Sequence, residues 1–191
     1  MKRAAILHGT DNTPNDFWFP WLEDLLKTSG YEVFLPELPN NHTPNREAYD
    51  KFLRKSGWDF ADNLVIGHSS GATTVLNLLS ANWFPHIQAA VLVGTFLNEK
   101  LTKGADWAEP GQFDGLFLDN YEPDLKKKAD KFYFVHGDDD PFCDIDDARS
   151  LCDQLKGTFV TIPGGHHLGG TAGLMELPKL EAVLRADNLV A

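Results

Sequence analysis

The sequence predicts an α/β protein, a mainly parallel sheet covered by helices on both faces. Six short apolar runs recur along the chain with Gly or Pro at their ends, which is how strands buried on both faces read. Stretches with helical spacing lie between most of them, so strand and helix take turns and the strands run parallel. The first run is "AAILHG" (4–9), followed by a helical pattern in Trp21, Leu22, Leu25 and Leu26. "YEVFLP" (31–36) precedes the pattern of Tyr49, Phe52 and Leu53, and "NLVIGH" (63–68) precedes that of Val75, Leu76 and Leu79. "AAVLVGTF" (89–96) is separated from "KFYFVHG" (131–137) by a long acidic interval, 98–130, that carries Trp107, Phe113, Phe117 and Tyr121. An interval of that length is a functional loop or a small lid. A helix over 145–155, N-capped by Asp144, leads to "GTFVTIP" (157–163).

With 191 residues, 42% of them hydrophobic, the chain can bury one sizeable core, and 1–191 is read as a single domain. The formal charge of −11 disfavours nucleic acid, whose binding depends on neutralising phosphates with Lys and Arg. The one basic run, Lys126 to Lys128, reads as a solvated helix face. The apolar stretch after Met1-Lys2-Arg3 is too short for export or for crossing a membrane. Cys143 and Cys152 fall in what reads as one helical segment, about 13 Å apart at the helical rise, beyond disulfide reach. Two reduced thiols point to the cytoplasm.

The stretch "VIGHSSG" (65–71) carries the chemistry. Gly67-His68-Ser69-Ser70-Gly71 is a G-x-S-x-G nucleophile elbow, and Ser69 alone has a glycine two residues away on each side. It falls where the third strand turns into a helix, at the carboxyl edge where parallel sheets collect ligands. The turn exposes Oγ and leaves the Ser70 N–H at a helix N-terminus, aimed at a developing oxyanion. A serine hydroxyl is a poor nucleophile unaided and needs an imidazole oriented by a carboxylate. "HGDDDPF" (136–142) and "PGGHHLGG" (163–170) supply both after the fifth and sixth strands, in the Ser, Asp, His order that accompanies a nucleophile elbow. Pro141 restricts Asp140 to extended dihedrals and singles it out as the acid, while Asp138 and Asp139 are expected to face water. The glycines at 164 and 165 give the second loop freedom to deliver His166 as the base.

The aspartates of 138–147 lack the spacing of a calcium loop, and no H-E-x-x-H pair occurs, so no metal is expected. A second oxyanion donor is needed from the end of the first strand, where Thr10 N–H is the candidate and Asp11 N–H the fallback. His8, His42, His68, His86 and His136 read as packing or loop residues.

These blocks resemble the small serine hydrolases of the YdeN and retinoblastoma-binding protein nine type, a lid-poor branch of the α/β-hydrolase superfamily. "ILHGTDNTPNDFWFPWLEDLLKTSGYEVFLPELPN" is similar to the family's opening, and "VIGHSSGA", "HGDDDPF" and "GGHHL" to its three catalytic blocks. The resemblance implies six strands in spatial order 2-1-3-4-5-6 with Ser69, Asp140 and His166 as a triad. It also implies a small ester, thioester or amide as substrate, without a cofactor. Two departures stand out: three consecutive aspartates in the acidic turn, and His167 where the family commonly has Phe, a second imidazole beside His166.

The expectation is acyl transfer to water, with Ser70 and Thr10 N–H groups receiving the oxyanion and Phe17 and Trp18 walling the pocket. The alternative is a protein-interaction module that keeps the fold and uses the long acidic, aromatic segment for a protein partner.

Overall fold

The computed structural model describes residues 1–98, 108–121 and 123–191. Six strands, β1 (Lys2–Leu7), β2 (Tyr31–Phe34), β3 (Leu64–His68), β4 (Ile87–Val93), β5 (Ala129–Gly137) and β6 (Thr158–Ile162), form one sheet in the order β2-β1-β3-β4-β5-β6. All five pairings are parallel, with Ile6 opposite Ile66, Ile66 opposite Val91, Val91 opposite Tyr133, and Tyr133 opposite Thr158. The helices are α1 (Phe19–Thr28), α2 (Arg46–Lys55), α3 (Ser70–Ser80), α4 (Ile145–Leu155) and α5 (Pro178–Ala186), with two short 3-10 turns at Pro123–Lys127 and Gly170–Ala172. The strand rhythm predicted the parallel sheet, and the resemblance implied this strand order, that of the α/β-hydrolase fold.

Strand side chains alternate between the two faces and split the core in two. Ala5, Leu7, Val65, Ala90, Leu92, Phe132 and Phe134 pack under α2, α3 and α4. Ala4, Ile6, Leu64, Ile66, Val91, Val93, Tyr133 and Val135 pack under α1 and α5. Both faces being covered explains why the central strands read as unbroken apolar runs. The helix starts follow local chemistry: Asn45 caps α2 by accepting from Ala48 N–H, and Asp144 caps α4 by accepting from Asp146 and Asp147. Helix α5 was not among the sequence expectations. Its signals are Pro178 in the first turn and the buried Leu180 and Leu184 four residues apart.

The described part of the long interval, 108–121, packs down rather than standing off. Phe113 and Leu116 are buried with Phe96 and Cys143, and Gly115 O accepts from Arg46 N–H at the start of α2. Asn77 of α3 donates to Leu116 O, and Tyr121 donates to Asn77. Trp107 lies outside the described residues. Two expectations need correction. Lys128 is not on a solvated helix face: it follows the 3-10 turn, and its Nζ donates to the Ala81 and Phe84 carbonyls, just past the end of α3. Cys143 is not in the helix with Cys152, because Asp144 starts α4 one residue later; both thiols are buried and free. Among the described residues, no helix is long and apolar enough to cross a membrane.

Candidate active site

Ser69 sits between β3 and α3 with φ +56° and ψ −125°, a backbone state that costs a non-glycine residue roughly 1–3 kcal/mol. Its surroundings leave it no relaxed alternative. Ser69 N–H donates to Val93 O at 2.8 Å, while its own carbonyl accepts from Ala72 and Thr73 in the first turn of α3. The two glycines of the motif are needed for contact: a Cβ on Gly67 would lie 2.4 Å from Gly71 O, and one on Gly71 would lie 2.2 Å from Leu7 O. Strand β3, helix α3 and strand β1 thus meet backbone to backbone beneath the serine.

His167 closes the constellation. Its Nε2 stands 2.9 Å from Ser69 Oγ and its Nδ1 stands 2.9 Å from Asp140 Oδ2. The Asp140 carboxylate is 1% exposed, and its other oxygen accepts from Phe142 and Cys143 N–H groups. Burial pushes this acid upward, yet the hydrogen bond and charge of His167 with the two backbone donors outweigh it and hold Asp140 below the usual carboxylate range.

The sequence expectation named the neighbouring imidazole, and the geometry corrects it. His166 points away from Ser69, with Nδ1 2.8 Å from Asp139 and its ring about half exposed. The offset comes from how the loop is pinned. Asp138 Oδ1 accepts from Gly164 N–H, Asp139 Oδ1 accepts from His166 N–H, and Leu168 N–H closes a turn onto Gly165 O. With left-handed backbone at His166 (φ +44°) and Leu168 (φ +56°), the side chain that descends to the serine is that of residue 167. Glycine freedom at 164 and 165 could not set this offset; the aspartates do. Asp138 and Asp139, expected to face water, each carry a loop contact as well.

Thr10 lies at the elbow, where its Oγ1 donates to Ser70 Oγ at 2.9 Å. Ser70 is the first residue of α3, so its N–H has no intrahelical acceptor. A cavity of about 230 Å³ opens over Ser69, lined by Thr10, Asp11, Asn12, Phe17, Phe142 and His167 among others. Phe17 lines this cavity. Trp18 does not: it is fully buried against the sheet, and its Nε1–H donates to Leu168 O. Phe142 and Asn12 went unnoticed in the sequence, where nothing distinguishes them from other loop residues. A larger open groove of about 680 Å³ lies between 117–121 and α4, and neither Ser69, Asp140 nor His167 lines it.

Asp140, Cys143 and His167 also form a group whose potential metal-ligand atoms lie within 4.8 Å of one another. Burial, reinforced by the Asp140 charge, raises the Cys143 thiol well above its ordinary value, and Sγ–H donates to Gly94 O. A protonated thiol and an Nδ1 already engaged by Asp140 make a poor donor set for a cation.

Residues 4–186 match a family model described as serine hydrolase. The chain belongs to the serine hydrolase family. Among its relatives is YdeN of Bacillus subtilis, 23% identical over 191 aligned positions, gaps included, covering 96% of this chain and 94% of YdeN. The crystal structure of the B. subtilis ydeN gene product superposes with a TM-score of 0.82 at 20% identity, covering 97% of this serine hydrolase and 98% of that chain. Est1E from Butyrivibrio proteoclasticus, solved with ferulic acid bound, superposes with a TM-score of 0.67 at 16% identity, covering 99% of this chain and 87% of Est1E. This serine hydrolase thus shares its fold with YdeN and Est1E across nearly its whole length.

Proposed function

We propose that this hydrolase cleaves a small ester, thioester or amide through an acyl-enzyme intermediate on Ser69. The observation that carries the reading is the unbroken relay of 2.9 Å contacts from Asp140 Oδ2 through His167 to Ser69 Oγ. His167 Nε2 takes the hydroxyl proton as Oγ attacks the substrate carbonyl. Asp140 holds Nδ1–H and stabilises the imidazolium, and the N–H groups of Ser70 and Thr10 receive the oxyanion. The imidazolium returns the proton to the leaving group, and water, deprotonated by the same imidazole, releases the acid.

The 230 Å³ cavity is below the roughly 300–1,000 Å³ of drug-sized ligand sites, which favours a short or flat acyl group between Phe17 and Phe142. The ferulic acid held by Est1E supports a compact ester as substrate. On this reading residues 1–191 work as one catalytic domain in a reducing, cytoplasmic compartment where Cys143 and Cys152 stay thiols, with no cofactor.

Treatment with a fluorophosphonate probe tests it. Intact mass should rise by one adduct, with Ser69 modified on peptide mapping, and Ser69→Ala should stay unmodified. A wild type that remains unlabelled where a control hydrolase reacts would hand the fold to the protein-interaction reading.

A further inference from the structure

We propose that His68 is a positioning residue for this hydrolysis: its Nε2–H, donated to the His167 carbonyl, holds the base loop in the backbone state that points the His167 imidazole at Ser69. The inference rests on His167 acting as the base.

The loop needs holding. His166 and Leu168, flanking the base on both sides, occupy left-handed backbone that disfavours side chains of their size. Two ring N–H groups from elsewhere in the fold grip consecutive carbonyls of this strained segment. His68 Nε2 donates to His167 O at 2.9 Å, and Trp18 Nε1 donates to Leu168 O at 2.7 Å. The His68 ring is itself fixed edge-on by Phe17, Trp18 and Phe19 at centroid distances of 6.4, 5.7 and 5.8 Å, and lies 5.2 Å from the His167 ring. Because His68 directly precedes the nucleophile in sequence, one rigid elbow fixes both Ser69 Oγ and the backbone of the residue that must deprotonate it.

The ring atoms identify which nitrogen matters. Nε2 carries the hydrogen bond, while Nδ1 has no partner among the described residues. Donation to a carbonyl requires the Nε2–H form, and burial, with the neighbouring His167 charge adding to it, pushes the His68 imidazole down to about 3. His68 therefore stays neutral beside a base that becomes cationic at each turnover.

Two substitutions separate the nitrogens. Gln at 68 places an amide N–H at the reach of Nε2, whereas Asn places it at the reach of Nδ1 and cannot span to His167 O. His68→Asn should lower kcat about 100-fold, the cost of displacing a reacting group by an ångström, and since His68 also lines the cavity any rise in KM should be the smaller effect. His68→Gln should stay near wild-type kcat. The low-field proton resonance of His167 Nδ1–H against Asp140 should persist in the Gln variant and broaden or vanish in the Asn variant. A merely structural role would lower thermal stability in both variants alike without moving that resonance. The proposal is overturned if folded His68→Asn keeps kcat within threefold of wild type, or if folded His68→Gln loses both activity and resonance. Should His68→Asn fail to fold, the Gln variant alone decides. Should wild type show no turnover, the resonance still reads the positioning, while fluorophosphonate labelling separately judges the base assignment.

Discussion

Acidification should destabilise this protein well before its carboxylates titrate, because it buries neutral imidazoles. Burial pushes His68 down to about 3 and His136 down to about 4, whereas in the unfolded chain both return to the ordinary imidazole value of about 6.5. Below pH 6.5 the unfolded state binds protons that the folded state refuses, so stability falls as pH falls and continues to fall until the folded values are reached. At pH 5 both folded rings remain largely neutral, so the cost depends mainly on the unfolded value. Each ring then contributes about 2 kcal/mol between pH 7.5 and 5, about 4 kcal/mol together, out of a total stability typically of 5–15 kcal/mol. His8, also lowered by burial, adds in the same direction; exposed His42, raised by Asp11, acts the opposite way. Asp140 is held low and contributes stability that is lost only as pH falls through its own folded value, below this window. Urea unfolding followed by circular dichroism at half-unit pH steps gives the slope directly. His136→Gln, which keeps an acceptor for Thr95 N–H, should remove about half of it. A loss under about 1 kcal/mol across the window, or an unchanged slope in the variant, would refute the linkage.

Three further outcomes follow from the site and its scaffold. His167→Ala should abolish nearly all ester turnover while His166→Ala retains most of it, measured on one soluble ester with folding checked; the reverse result would move the base back to 166. Asp140→Asn should cost on the order of 10³–10⁴ in kcat, the penalty of holding the wrong imidazole tautomer, and a loss below tenfold would remove Asp140 from the relay. Gly71→Ala puts a Cβ 2.2 Å from Leu7 O and 2.6 Å from His8 O, where only backbone can yield. It should cost more than about 3 kcal/mol, beyond ordinary overpacking, and an unfolding midpoint near wild type would show that α3 can lift off β1.

The architecture was legible because it rests on local pattern. Apolar runs of six to eight residues with Gly or Pro near their ends read as strands covered on both faces, and the elbow glycines mark close backbone contact. Helix α4 and its Asp144 cap were read with their bounds because a capping carboxylate and an apolar face signal together. What escaped was set by contacts between distant segments. Whether residue 166 or 167 reaches Ser69 depends on which aspartate of the 138–140 turn grips which backbone N–H, a pairing across 26 or 27 residues with no local trace. Trp18 and Phe17 are adjacent in sequence yet one is core and the other cavity wall, because positive φ at Phe17 turns the chain between them. His68 read as an ordinary packing residue, since the carbonyl it serves lies 99 residues away.

Two adjacent imidazoles facing consecutive carboxylates look like redundancy, a spare catalytic pair held in reserve. The pairing shows otherwise. Asp139 takes His166 and Asp140 takes His167, each matched one to one, and Asp138 anchors Gly164 at the far end. The two segments mesh like teeth, so shifting one by a single residue breaks every contact at once. Point mutation alone cannot promote His166 into the role of its neighbour. A lineage that lost His167 would have to lengthen the 163–165 segment by one residue and re-pair the acidic turn in the same step, which makes this loop a place where the sequence tolerates substitution far better than a change in length.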